Sequence, residues 1–241
     1  MTSLPKPTIV IFDMDGTTVR HLNPRLLGLM EWLDDTAFKV SRLWMWIFER
    51  RGKGPILPPP PPSEESEKPS KPPKSIIVHR ALHKLRRKDV EMLVEPCPAI
   101  YSVLGFLKKR GIPMALVSNG LGKGYGLDIV QKFGLADFFN VTIFREDIKK
   151  SKPHPEPLIK AIEQLNLPMT EDDVIWYIGD RHKDITAAQA ADPHTKAKII
   201  PIAYAINAAV AAIEKGYGPD HILMSYQDVY TVLDRLFKEK T

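Results

Sequence analysis

Hydrophobic residues in this chain fall into short unbroken runs separated by longer stretches in which apolar positions recur every three or four residues. The runs are 8–12 (TIVIF), 114–117 (MALV), 174–178 (VIWYI) and 199–202 (IIPI). Each predicts a strand buried on both faces, the kind found in parallel sheets. Residues 140–144 supply a further strand candidate, while helical periodicity covers 99–110, 127–133, 156–166 and 184–191. Residues 221–225 and 226–238 read as a last short strand and a closing helix. Strand alternating with helix predicts an α/β fold, a Rossmann-like open parallel sheet with right-handed crossovers.

Residues 18–95 break this rhythm. Leu22, Leu26, Met30, Leu33, Ala37, Val40, Trp44 and Ile47 recur at the period of one long amphipathic helix, and a second helix is expected over about 76–93. Between them, at about 52–75, runs a proline-rich stretch with five consecutive prolines, which cannot form a core and is expected to be an extended polyproline or disordered linker. The expected organisation is therefore a core made of 1–17 and 96–241, with 18–95 inserted as a small α-helical cap. The apolar stripe with Trp44 and Trp46 suits helix packing or a homodimer contact through the cap helices.

Composition narrows the class. A chain of 241 residues with 44% hydrophobic residues can bury a full core. One cysteine, Cys97, rules out an internal disulfide framework, and the start MTSLPKPTIV lacks the pattern of a secretory signal, so a cytoplasmic protein is expected. The longest apolar candidate, LWMWIF at 43–48, is too short for a membrane span. Of the net charge of +5, residues 74–92 carry six Lys or Arg against Asp89 and Glu91. This reads as a solvated helix face rather than a nucleic-acid site, and the helical pair His79 and His83 lacks an evident third metal ligand.

Ligands in open α/β sheets bind beyond the carboxyl ends of the strands, which directs attention to the residues after each run. There lie Asp13, Met14, Asp15, Gly16 and Thr17 (DMDGT), then Ser118, Asn119 and Gly120 (SNG), and later Gly179, Asp180 and Asp184 in GDRHKD. Lys152 stands in SKPHPEP, ahead of a helical stretch. The set supplies what hydrolysis of a phosphate ester needs: a carboxylate nucleophile in Asp13, a proton donor in Asp15, and positive charge in Lys152. Ser118 and Asn119, with neighbouring main-chain N–H groups, add donors for phosphate. Magnesium takes oxygen ligands, for which Asp13, Asp180 and a backbone carbonyl are suited. Singly, each motif is also an ordinary turn or helix cap; together and in order they point to catalysis.

In these residues the sequence resembles the haloacid dehalogenase superfamily. Asp13, Asp15, Gly16 and Thr17 match its first motif, Ser118 its second, Lys152 its third, and Asp180 with Asp184 its fourth. KPHPEP and YIGDRHKDITAAQAAD are similar to the phosphoglycolate phosphatase branch. The resemblance implies that Asp13 is nucleophile and metal ligand, and that Asp15 is acid/base and lends its carbonyl to the metal. It further implies that Ser118 and Lys152 bind phosphate, Asp180 binds Mg2+ and Asp184 supports the site. An insertion after the first motif would be the substrate-selecting cap, with Arg20 and His21 at its entrance as candidate substrate contacts. The expected function is magnesium-dependent hydrolysis of a small phosphorylated metabolite through an aspartyl-phosphate. A phosphoryl-transferring mutase on the same fold, or a non-catalytic scaffold that binds partners through the proline segment, are the alternatives. Dehalogenation is disfavoured because dehalogenases of this superfamily lack an acid where Asp15 stands.

Overall fold

The structure, a computed structural model, describes residues 4–22 and 90–238. Residues 23–89, where most of the two cap helices and the proline-rich linker are expected, lie outside the described residues.

One sheet contains six strands: β1 (Ile9–Asp13), β4 (Met114–Val117), β5 (Val141–Ile143), β6 (Val174–Gly179), β7 (Lys198–Tyr204) and β8 (Ile222–Leu223). Their order across the sheet is β5-β4-β1-β6-β7-β8. All neighbours pair in parallel, with Asp13 opposite Val117 on one side and Phe12 opposite Ile178 on the other. Six helices make the crossovers and the closing turn: α1 (Ile100–Lys109), α2 (Lys123–Lys132), α3 (Glu156–Leu165), α4 (His182–Ala191), α5 (Ala205–Glu214) and α6 (Tyr226–Lys238).

Alternation of side chains along each strand divides the core into two layers. Val10 and Phe12 of β1, with Met114, Leu116, Trp176 and Ile178, face α1, α2 and α6. Ile9 and Ile11, with Ala115, Val117, Ile175 and Tyr177, face α3 and α4, where Leu158, Ala161, Ala187 and Ala188 are buried. Both faces are covered, which is why the strands are almost wholly apolar. The second face matters for function. Asp13 and Tyr177 both continue it, so their polar ends emerge on the same side of the sheet.

The sheet also fixes where a site can form. From β1 the chain moves outward through β4 and β5, then crosses to β6, β7 and β8 on the opposite side. That reversal opens a crevice at the carboxyl ends of β1, β4 and β6.

At the edge of the expected insertion, β2 (Val19–His21) and β3 (Val94–Pro96) pair antiparallel, with Arg20 opposite Glu95 and His21 opposite Val94. The Leu22 N–H donates to the Leu93 carbonyl at 3.0 Å, extending the pair by one step. Residues 90–92 form a short 3-10 turn rather than the end of a regular helix. Val94 is fully buried in β3, and the chain must already be extended to place it there, which leaves no room for another helical turn.

Candidate active site

Asp13 is the last residue of β1 and is 4% exposed. The chain then turns back sharply: the N–H groups of Thr18 and Val19 both donate to the Met14 carbonyl at 3.0 Å, and the Gly16 N–H donates to the Val19 carbonyl at 2.8 Å. Gly16 has φ of +86°. A side chain there would be strained and its Cβ would collide with the Asp180 carboxylate. Thr18 Oγ1 donates to the Asp13 carbonyl at 2.7 Å and anchors the loop from within.

Lys152 reaches Asp13 from the opposite wall. Its ammonium is ion-paired with Asp13 Oδ1, lies 2.8 Å from Asp184 Oδ1 and donates to the Tyr177 hydroxyl at 2.9 Å. Asn119 sets the position of this lysine: its Nδ2 donates to the Lys152 carbonyl at 3.2 Å, and its Oδ1 accepts from the Lys152 N–H at 3.0 Å. Asp184 sits in the first turn of α4, where its Oδ2 accepts the Arg181 N–H at 3.0 Å. Gly179 lets Asp184 fold in against β6, since a Cβ at 179 would come within 2.5 Å of the Asp184 carboxyl carbon.

Asp15 stands apart from this pair. Its Oδ2 accepts from Ser118 Oγ at 3.1 Å and its Oδ1 lies 3.4 Å from His21 Nε2. Ser118 Oγ in turn accepts the Leu121 N–H at 3.0 Å. Thr17 Oγ1 bridges loosely between Asp13 Oδ2 at 3.4 Å and Asp180 Oδ1 at 3.5 Å.

Oxygens of Asp13, Asp180 and Asp184 approach to within 4.8 Å of one another. Burial drives the Asp13 carboxyl well above its ordinary range; Lys152 opposes this, and Asp184, Asp15 and Asp180 add to it. Burial also raises Asp180, to about 6, with Asp184 contributing and Arg181 and Lys152 opposing. Although burial works against a charged Lys152, the Asp13 and Asp184 carboxylates override it and hold the ammonium well above its usual value. Two buried carboxylates thus share one ammonium, with Asp180 beside them. This excess of oxygen-borne negative charge, on a loop that Gly16 allows to close against Asp180, fits a hard divalent cation.

The sequence-derived set is thus mostly gathered into one place: Asp13, Asp15, Gly16, Thr17, Ser118, Asn119, Lys152, Asp180 and Asp184 line the crevice. Arg20 and His21 part company, as neighbours on a strand must. His21 turns toward Asp15, whereas Arg20 pairs with Glu95 at 2.6 Å on an exposed edge. Tyr177 was visible in the sequence only as part of an apolar run. Its signal was a hydroxyl in an otherwise apolar buried strand, which requires a polar partner.

The family described as haloacid dehalogenase-like hydrolase matches residues 61–197, more than half of the chain. The chain belongs to the haloacid dehalogenase-like hydrolases. The matched part holds Ser118, Lys152, Asp180 and Asp184, and a longer alignment takes in most of the rest. A pyrophosphatase, PpaX, of Bacillus mycoides is 26% identical over 232 residues, covering 96% of this hydrolase and 99% of its relative. A phosphoglycolate phosphatase of Yersinia pseudotuberculosis is 34% identical over 104 residues, 43% of each chain. In fold, the hydrolase is similar to a predicted phosphatase from Clostridium acetobutylicum, with a TM-score of 0.62 at 18% identity over 97% of this chain and all of the other. Among the described residues no helix is long and apolar enough to cross a membrane.

Proposed function

We propose that this hydrolase is a magnesium-dependent phosphatase that removes the phosphoryl group of a small phosphorylated metabolite with Asp13 as nucleophile. The observation that carries the reading is the buried Lys152–Asp13 pair at the carboxyl end of the sheet, with the Asp180 carboxylate close by and Asp15 two residues along the same loop. A pyrophosphatase and a phosphoglycolate phosphatase among the relatives agree on the class of substrate, a compact phosphorylated anion, and differ in its identity.

The chemistry divides into two transfers. Asp13 attacks phosphorus, the bond from phosphorus to the leaving oxygen breaks, and Asp15 gives that oxygen its proton. Water then attacks the phosphorus of the aspartyl-phosphate while Asp15 takes a proton from it, which frees phosphate and restores both carboxyls. Lys152 neutralises charge on the phosphoryl oxygens and is itself held by Asp184 and Tyr177. The N–H groups of the loop after Ser118 would receive the remaining phosphoryl oxygens, while the Ser118 hydroxyl stays on Asp15. Asp13, Asp180 and the main-chain carbonyl of Asp15 are the groups that would hold magnesium. When bound, the ion screens Asp13 from the phosphate and withdraws charge from it.

The test is release of inorganic phosphate from 4-nitrophenyl phosphate and from a panel of phosphorylated metabolites that includes pyrophosphate and phosphoglycolate, with Mg2+ and with chelator. Release that needs Mg2+ and is lost in Asp13→Asn supports the proposal. Conversion of a sugar phosphate into its isomer without net phosphate release would favour a mutase instead.

A further inference from the structure

Resting on the phosphatase reading, we infer that His21 is a positioning residue for the general acid, its imidazole holding the Asp15 carboxyl in the orientation from which a proton reaches the leaving oxygen. The two groups are brought together by the backbone. The tight turn after Asp13 folds β2 alongside Asp15, which forms an isolated bridge with Val19. His21 ends β2, and its main chain is fixed by pairing with Val94 of β3 and by the adjoining bond from Leu22 to Leu93.

The result is a carboxyl held at both oxygens from separate parts of the chain. Ser118 Oγ accepts the Leu121 N–H at 3.0 Å and donates its single hydrogen to Asp15 Oδ2, 3.1 Å away. His21 Nε2 meets the other oxygen at 3.4 Å. With one oxygen held, a carboxyl can swing about its last torsion; with both held, it cannot turn without breaking a contact. A contact of this length is weak in energy. Its effect is directional, and the pair is sheltered, with the two side chains only 12% and 20% exposed. Imidazole also suits a partner that gains and loses a proton. An ionised Asp15 accepts from Nε2–H, and a protonated one can donate to a neutral ring nitrogen. An amide can do both as well, whereas an aliphatic side chain can do neither.

The experiment uses a pair of aryl esters that differ in their need for an acid. Nitrophenolate leaves readily without a proton, and phenolate much less so. In the presence of Mg2+, kcat/KM is measured for 4-nitrophenyl phosphate and phenyl phosphate on wild type, His21→Leu and His21→Gln. His21→Leu should lose about 10–100-fold on phenyl phosphate and no more than about threefold on nitrophenyl phosphate. His21→Gln should stay within about threefold of wild type on both. If His21→Leu does not fold, as read by circular dichroism, His21→Asn, whose amide is too short to span the gap, supplies the same comparison. Equal losses on the two esters, or no loss on either, overturn the assignment, as does a change in KM with kcat intact, which would make His21 a substrate contact. Failure of the phosphatase reading itself looks different: the wild type would then release phosphate neither from these esters nor from any member of the metabolite panel.

Discussion

The Tyr177 hydroxyl lies 2.8 Å from Oδ1 of Asp184, and that same oxygen is 2.8 Å from the Lys152 ammonium. Tyrosine, aspartate and lysine thus close a buried triangle behind Asp13, in which each polar atom depends on the other two. Tyr177→Phe removes one corner while leaving the ring in the core. It should lower stability by about 1–2 kcal/mol, as expected for a buried bond whose partners lose a contact. It should also reduce kcat several-fold with little change in KM, because Lys152 loses its orientation and keeps its charge. Chemical denaturation and steady-state kinetics on the same preparation check both.

Gly16 is the point where the loop after β1 meets Asp180. Gly16→Ala introduces strain at a positive φ and a clash with the Asp180 carboxylate. The expected cost is about 1–3 kcal/mol in stability. The larger consequence should be weaker Mg2+ binding, seen as a rise of about tenfold or more in the Mg2+ concentration that half-activates the enzyme, since metal sites tolerate little displacement of a ligand.

Asp180 should make metal binding depend on pH. Its carboxyl is raised from an ordinary 3.8 to about 6 in the metal-free fold, chiefly by burial and then by Asp184. Between those values the native chain binds more protons than the unfolded one. The contribution of Asp180 to metal-free stability therefore falls as pH rises through that window and stays low above it. Magnesium must displace the proton, so its affinity should climb as pH rises through about 6 and then level off. The increase in Tm on adding Mg2+ should accordingly be larger at about pH 7.5 than at about pH 5. In Asp180→Asn that increase should be much reduced at both values.

Arg20 and Glu95 form a short contact of 2.6 Å, yet their side chains are 54% and 40% exposed. Solvent screening should leave the pair nearly neutral in energy, and a double-mutant cycle of Arg20→Ala and Glu95→Ala should give a coupling below about 1 kcal/mol.

Much of the fold was legible because buried parallel strands cannot disguise themselves. MALV at 114–117 is the whole of β4, and the other runs differ from β1, β6 and β7 by one or two residues at their ends. Helix α2 begins at Lys123, four residues before its apolar period becomes regular, because glycines at 124 and 126 dilute the pattern. The second of these is required by packing, as a Cβ at 126 would strike the Phe144 ring. Helix α5 escaped notice for the opposite reason. It buries alanines, including Ala208, Ala211 and Ala212, and leaves Ile206, Val210 and Ile213 exposed, so hydrophobicity does not mark its inner face. Most of the motif residues were readable because they stand at or just beyond the carboxyl end of a strand, and Lys152 because its segment precedes a helix. Tyr177 and the pairing of β2 with β3 were not, since both depend on contacts between segments far apart in sequence.

The central claim, that Asp13 takes the phosphoryl group, is tested most directly by acid-quenching the enzyme during turnover and mapping phosphorylated peptides by mass spectrometry. The expected result is a phosphoryl adduct on the peptide carrying Asp13 that forms only with Mg2+ and is absent from Asp13→Asn. An adduct on another residue, or turnover that survives in Asp13→Asn, would contradict the account.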